Sequence, residues 1–89
     1  MDYNEMNTII MEADLYLRKK YKNKGLYGHI DGVKFIFMRG ENKRLLIGFP
    51  GTICMYDHRN AVCIDLHVMV LYDPKLKKLV GIEENPGPK

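Results

Sequence analysis

The chain has 89 residues, 46% hydrophobic and 28% charged, with a formal net charge of +3. Those values describe one ordinary globular domain near the length at which a single core suffices, and they exclude a disordered chain. They also exclude a membrane-spanning helix, because no apolar run approaches the roughly 20 residues that cross a bilayer.

The start, Met1-Asp2-Tyr3-Asn4-Glu5, is acidic and polar, unlike the basic opening of a secretory signal. A cytoplasmic protein with Cys54 and Cys63 as thiols is the expectation. Met6, Ile9, Ile10, Ala13, Tyr16 and Leu17 then recur at helical spacing. Asp2 or Asn4 is the candidate N-cap, and Arg18, Lys19 and Lys20 sit where the helix dipole favours cations. Gly25 is placed to close the helix in the left-handed conformation.

From Leu26 the pattern changes to strands. Asp31-Gly32 is a two-residue hairpin signal that would pair residues 26–30 with 33–38. A turn at residues 40–43 leads to a strand over 44–49, which Pro50-Gly51 ends. A strand over 52–57 follows, then a turn at His58-Arg59-Asn60 and a long strand over 61–72. Asp73-Pro74-Lys75 is the next turn, residues 78–83 the last strand, and residues 85–89 an irregular tail.

Together these predict a single α+β domain over residues 1–84. Its N-terminal helix packs on five or six antiparallel strands in meander order. Val62, Ile64, Leu66, Val68 and Val70 form the dry face that receives the helix. The other face is also rather apolar: the sets Val33, Phe35, Phe37 or Ile36, Met38, with part of Leu45, Ile47 and Phe49, contribute to it. Two apolar faces imply a curled sheet, a half-barrel, or a face buried in a partner. The outline is that of Sm-like folds, without any motif of that family.

Cys63, Asp65, His67 and Met69 share the mixed face of the long strand, opposite its dry face. With a two-residue turn at His58-Arg59, Cys54 falls opposite Cys63, close enough for a disulfide at a non-hydrogen-bonded pair, and Thr52 falls opposite Asp65. Cys54, Cys63 and His67 with Asp65 or His58 are the available metal donors, but no paired-ligand spacing joins them. Cys63 and His67 stand about 13 Å apart along one strand, too far for a nucleophile and its base. The chain has no serine, which removes a serine hydrolase. No enzyme activity, metal or cofactor is implied. Cys63, Asp65, His67 and Met69 read instead as a contact surface for a protein partner, with the chain acting alone or as a homodimer.

One alternative is a small metal- or thiol-dependent site on the Cys63, Asp65 and His67 face; the other is RNA or DNA binding. Arg18, Lys19, Lys20, Tyr21, Lys22 and Lys24, followed by Tyr27, interleave cations with aromatics, and Lys75, Lys77 and Lys78 would extend the patch. Residues 81–88, Gly81-Ile82-Glu83-Glu84-Asn85-Pro86-Gly87-Pro88, resemble the terminal signature of the ribosome-skipping peptides of some RNA viruses. That signature runs Asp, Val or Ile, Glu, any residue, then Asn-Pro-Gly-Pro, and implies chain release between the last Gly and Pro. Gly81 stands in place of the Asp, and the chain runs on through Pro88 to Lys89. A Pro-Gly-Pro stop after an edge strand accounts for the same residues. The leading expectation is a non-enzymatic interaction module, of the kind common among phage and mobile-element regulators and inhibitors.

Overall fold

A computed structural model describes residues 3–32, 34–57 and 60–84, the side chains of residues 56, 57, 61–63 and 65 excepted. One helix, α1 (Tyr3–Lys22), packs on a five-stranded antiparallel sheet that curls into a half-barrel. The strands are β1 (Leu26–Ile30), β2 (Ile36–Arg39), β3 (Leu45–Asp57), β4 (Asn60–Asp73) and β5 (Lys78–Glu84). No helix among the described residues is long and apolar enough to cross a membrane.

The helix buries Ile9, Ala13, Leu17 and Tyr21, a stripe at strict four-residue spacing, while Met6 and Ile10 are partly covered. It ends as expected: Gly25 adopts φ +70°, and the amides of Lys24 and Gly25 donate to the carbonyls of Tyr21 and Lys22. Asn4 lies inside the helix and is not its cap; its carbonyl accepts the Thr8 hydroxyl. Asp2 lies outside the described residues. Under the helix, Val68 and Val70 are buried with Ile47, Phe49, Ile53 and Tyr72, and Ile64 and Leu66 pack partly against them. The face of β4 that carries Ile64, Leu66, Val68 and Val70 is therefore the one that receives the helix; the Val62 side chain lies outside the described ones.

Close approach is made possible by two glycines. A Cβ at Gly28 would stand 2.9 Å from both Leu17 Cγ and Ile53 Cδ1. One at Gly51 would stand 2.9 Å from Leu17 Cδ2 and from the His29 carbonyl oxygen. Leu17 thus seats in a notch cut from two neighbouring strands.

The strand order departs from a simple meander. β3, β4 and β5 follow it, but β1 and β2 do not form a hairpin with each other. Both pair with β3, β1 opposite its second half and β2 opposite its first. Asp31-Gly32 starts an interruption within one bent edge instead of reversing the chain. Two bonds hold Asp31 to β3: its amide donates to the Pro50 carbonyl at 2.9 Å, and its carboxylate accepts the Thr52 hydroxyl at 2.8 Å.

Pro50-Gly51 likewise does not end a strand, since β3 runs through it for 13 residues. In a strand the N–H and C=O of one residue point to the same side. The Pro50 carbonyl faces Asp31, so its missing N–H falls where the edge strand is interrupted, the place in a sheet that tolerates proline.

The turn after β2 is a single 3₁₀ turn at Glu41–Lys43, with Asn42 and Lys43 at positive φ. The turn after β4 is built around Asp73, a carboxylate only 2% exposed. It accepts the amides of Lys75 at 2.8 Å and Leu76 at 3.1 Å, and pairs with the Arg44 guanidinium.

Candidate interaction surface

On the face of the sheet away from the helix, the register aligns Tyr27, Cys54 and Cys63 in one row, and His29, Thr52 and His67 in the next. Pro50, Met69 and Glu83 form a third row. Cys54 opposite Cys63 agrees with the sequence reading. Thr52 opposite Asp65 does not. β4 advances four residues, from Cys63 to His67, while β3 moves only from Cys54 to Thr52, so this irregularity sets Thr52 against His67.

Cys54 is disulfide-bonded, which overturns the expectation of a free thiol. The register supplies the physical reason. Alternation from Pro50 puts the Cys54 backbone toward β1, so Cys54 and Cys63 face each other at a non-hydrogen-bonded pair. Cα atoms there stand about 4.5 Å apart, within disulfide range. A disulfide sulfur is also unavailable as a thiolate ligand. Among the described residues no group of three His, Cys, Asp or Glu side chains is arranged to hold a metal.

The surface expected from Cys63, Asp65, His67 and Met69 divides. His67 is exposed. Met69 is buried, and a Cβ at Gly48 would meet it and Met38 Sδ at 2.6 Å. The curl of the sheet folds these methionines over Gly48, so Met69 is packing, not a contact residue. The side chains of Cys63 and Asp65 lie outside the described ones.

The basic residues do not form one patch. Lys75 and Lys77 belong to the β4–β5 turn and Lys78 opens β5, and Lys77 lines a cavity of about 420 Å³ beside Glu5 and Glu12 near the start of α1. Lys19, Lys20, Lys22 and Lys24 stand at its far end, about 18 Å away at 1.5 Å per residue. Arg18 pairs with Asp14 at 3.0 Å and lies 5.4 Å from the centroid of the Tyr27 ring.

Tyr21, read as a stacking residue, is a core residue at 1% exposure. Its place in the series Ile9, Ala13, Leu17, Tyr21 was the signal in the sequence. Its hydroxyl donates to Glu84 on β5, and Lys24 Nζ lies 5.3 Å from its ring centroid. Burial, then that hydrogen bond and the carboxylate's charge, raise the phenol's pKa above the ordinary 10.0. Tyr72 is raised too, by burial first and then by the charges of Glu12 and Glu5.

A raised folded-state pKa means that this stabilisation is complete below pH 10.0 and is lost as pH climbs toward the folded value, because the unfolded chain ionises first. Thermal melts from neutral to strongly alkaline pH should therefore show Tm falling from about pH 10 upward. Tyr21→Phe should have a shallower fall, and an equally steep one would remove Tyr21 from the explanation.

A cluster of exposed apolar side chains lies elsewhere, at β2. Phe35, Ile36, Phe37 and Leu45 are 43%, 49%, 64% and 52% exposed. Phe35 and Phe37 meet edge-on at 5.6 Å, and Leu45 is the β3 partner of Arg39 on the same strand pair. The residues were visible in the sequence as a run apolar on both faces; that the helix leaves them uncovered was not. A second apolar groove of about 360 Å³ lies between α1 and the end of β1, lined by Ile10, Met11, Leu15 and Ile30. Comparison with protein-family models, with curated proteins and with solved structures finds no match for this chain.

Proposed function

We propose that this protein is a non-enzymatic interaction module, a regulator or inhibitor that works by binding another protein through β2 and its flanks. The observation that carries the reading is the exposure of Phe35, Ile36, Phe37 and Leu45 together at one corner of the sheet. Clustered large apolar side chains left in water by a small domain mark a protein contact more often than isolated ones do. Nucleic-acid binding draws less support, because Tyr21 is in the core and Lys77 lines a cavity with Glu5 and Glu12.

The test uses Ile36→Lys and Phe37→Asp, alone and together, with tagged protein as bait in lysate of the cell that makes it. Exposed positions tolerate such changes within about 0.5 kcal/mol, so the variants should keep the wild-type melt. Proteins captured by the wild type should be lost or bound about tenfold more weakly. Undiminished capture by the double variant would overturn the reading.

A further inference from the structure

We infer that β2 takes its partner as an added strand: an extended apolar segment, flanked by acidic residues, hydrogen-bonds along the unpaired side of Ile36–Arg39. This deepens the interaction reading and rests on it.

The argument begins with how the sheet treats its edges. A strand edge presents unpaired amides and carbonyls, and sheets usually block them. β1 is blocked by the helix, where Asp14 accepts the outward-pointing Ile30 amide at 2.9 Å. β5 is blocked by a bulge, since its register against β4 shifts between Leu71 and Tyr72, and by Lys78, Glu83 and Glu84 along its length. Among the described residues β2 shows no bulge against β3, and its one charge, Arg39, stands at its end. The strand pairs with β3 on one side, and among the described residues no strand lies on its other side. Its side chains are apolar at three of four positions, which suits an added strand placing alternate residues on both faces.

Charge names the occupant. Lys34, Arg39 and Lys43 surround the strand, with Glu41 the one acid between Lys34 and Lys43. None of these three cations makes an ion pair among the described residues, whereas nearby Arg44 is committed to Asp73. Two copies of β2 brought edge to edge would oppose these cations to one another. A segment with acidic flanks neutralises them, so the charge favours a different protein over a second copy of this chain.

The test is selection from a displayed library of random peptides of about ten residues, enough for one strand with flanks, against the full chain. Enriched peptides should carry alternating apolar cores with Asp or Glu at the ends. They should fail on Phe37→Asp and on Ile36→Lys. N-methylation of alternate core amides should abolish binding. The outward amides of Phe37 and Arg39 should gain hydrogen-exchange protection on adding the unmethylated peptide, while those of Ile36 and Met38, which face β3, should not. Raising salt from about 50 to about 500 mM should weaken binding several-fold.

Binding that depends on Phe37 but survives N-methylation would overturn strand addition and leave the interaction module standing. Basic or uncharged flanks among the winners would overturn the acidic partner, as would displacement of the peptide by a single-stranded oligonucleotide. Absence of any binder dependent on Phe37 would overturn the inference outright, while the lysate capture decides the broader reading independently.

Discussion

Leu17→Ala should destabilise the protein by about 3 to 4 kcal/mol. Leu17 is fully buried and seated between Gly28 and Gly51, where backbone from two strands leaves little freedom for collapse. For a domain whose whole stability is about 5 to 10 kcal/mol, that lowers Tm by roughly 15 °C or more. Gly28→Ala should cost about 1 to 3 kcal/mol for the opposite reason, overpacking, because its new methyl group would press on Leu17 and Ile53 at 2.9 Å. Combined, the two should cost less than their sum by about 1 kcal/mol or more, since the alanine at position 28 enters space that the leucine vacated. Urea denaturation of the two singles and the double measures this. Strict additivity would mean that Leu17 does not occupy the notch.

Asp73→Ala should cost about 2 to 3 kcal/mol and should free the β4–β5 turn. One buried carboxylate holds the turn amides of Lys75 and Leu76 and the guanidinium of Arg44, so its removal breaks three bonds together. Arg44→Ala should cost less, about 1 to 2 kcal/mol. Its side chain is half exposed, and Asp73 keeps both amide donors without it. Asp73→Asn should fall between wild type and alanine, because an amide oxygen still accepts from the turn. Urea denaturation ranks the three variants, and hydrogen exchange at residues 75 and 76 reports the turn directly. A cost for Arg44→Ala above that for Asp73→Ala would show that the ion pair, not the turn, is what Asp73 supplies.

Both predictions concern contacts that join distant parts of the chain, and such contacts mark the boundary of what could be read in advance. Local periodicity was legible. The apolar series through Leu17 is helical, the alternation of Ile64, Leu66, Val68 and Val70 identifies one sheet face, and Gly25 closes α1 as expected. The turn at residues 40–43 and the Asp73 turn stand where their residues implied. Composition and pattern together were enough for the α+β class and the helix position, and they offered the curl as one of the ways to bury a second apolar face, because each depends on side-chain period and on the need to bury one face per element.

The misread positions share a cause. Asp31-Gly32 carries the chemistry of a hairpin turn, yet whether two flanking segments pair depends on which other strand competes for their edges. Here β3 is long enough to take both. Pro50 and Gly51 look like strand breakers by local rules. Their missing groups, an N–H at one and a side chain at the other, coincide with an interrupted edge and a seated leucine, neither of which lies nearby in sequence. Tyr21 looked like part of a basic aromatic run until the helix was docked and its ring went inside to Glu84.

The interaction surface follows the same division. The chain alone announced more apolar strand surface than one helix can cover, because that is a matter of counting side chains against a single apolar stripe. Which part stays in water depended on where a 20-residue helix comes to rest and how far the sheet curls. Curling buried Met69, and the helix covered Ile47 and Phe49, while Phe35, Ile36, Phe37 and Leu45 remained at the corner that neither reaches. Side-chain period is a property of neighbours along the chain; exposure is a property of neighbours in space, and only the packed sheet decides it.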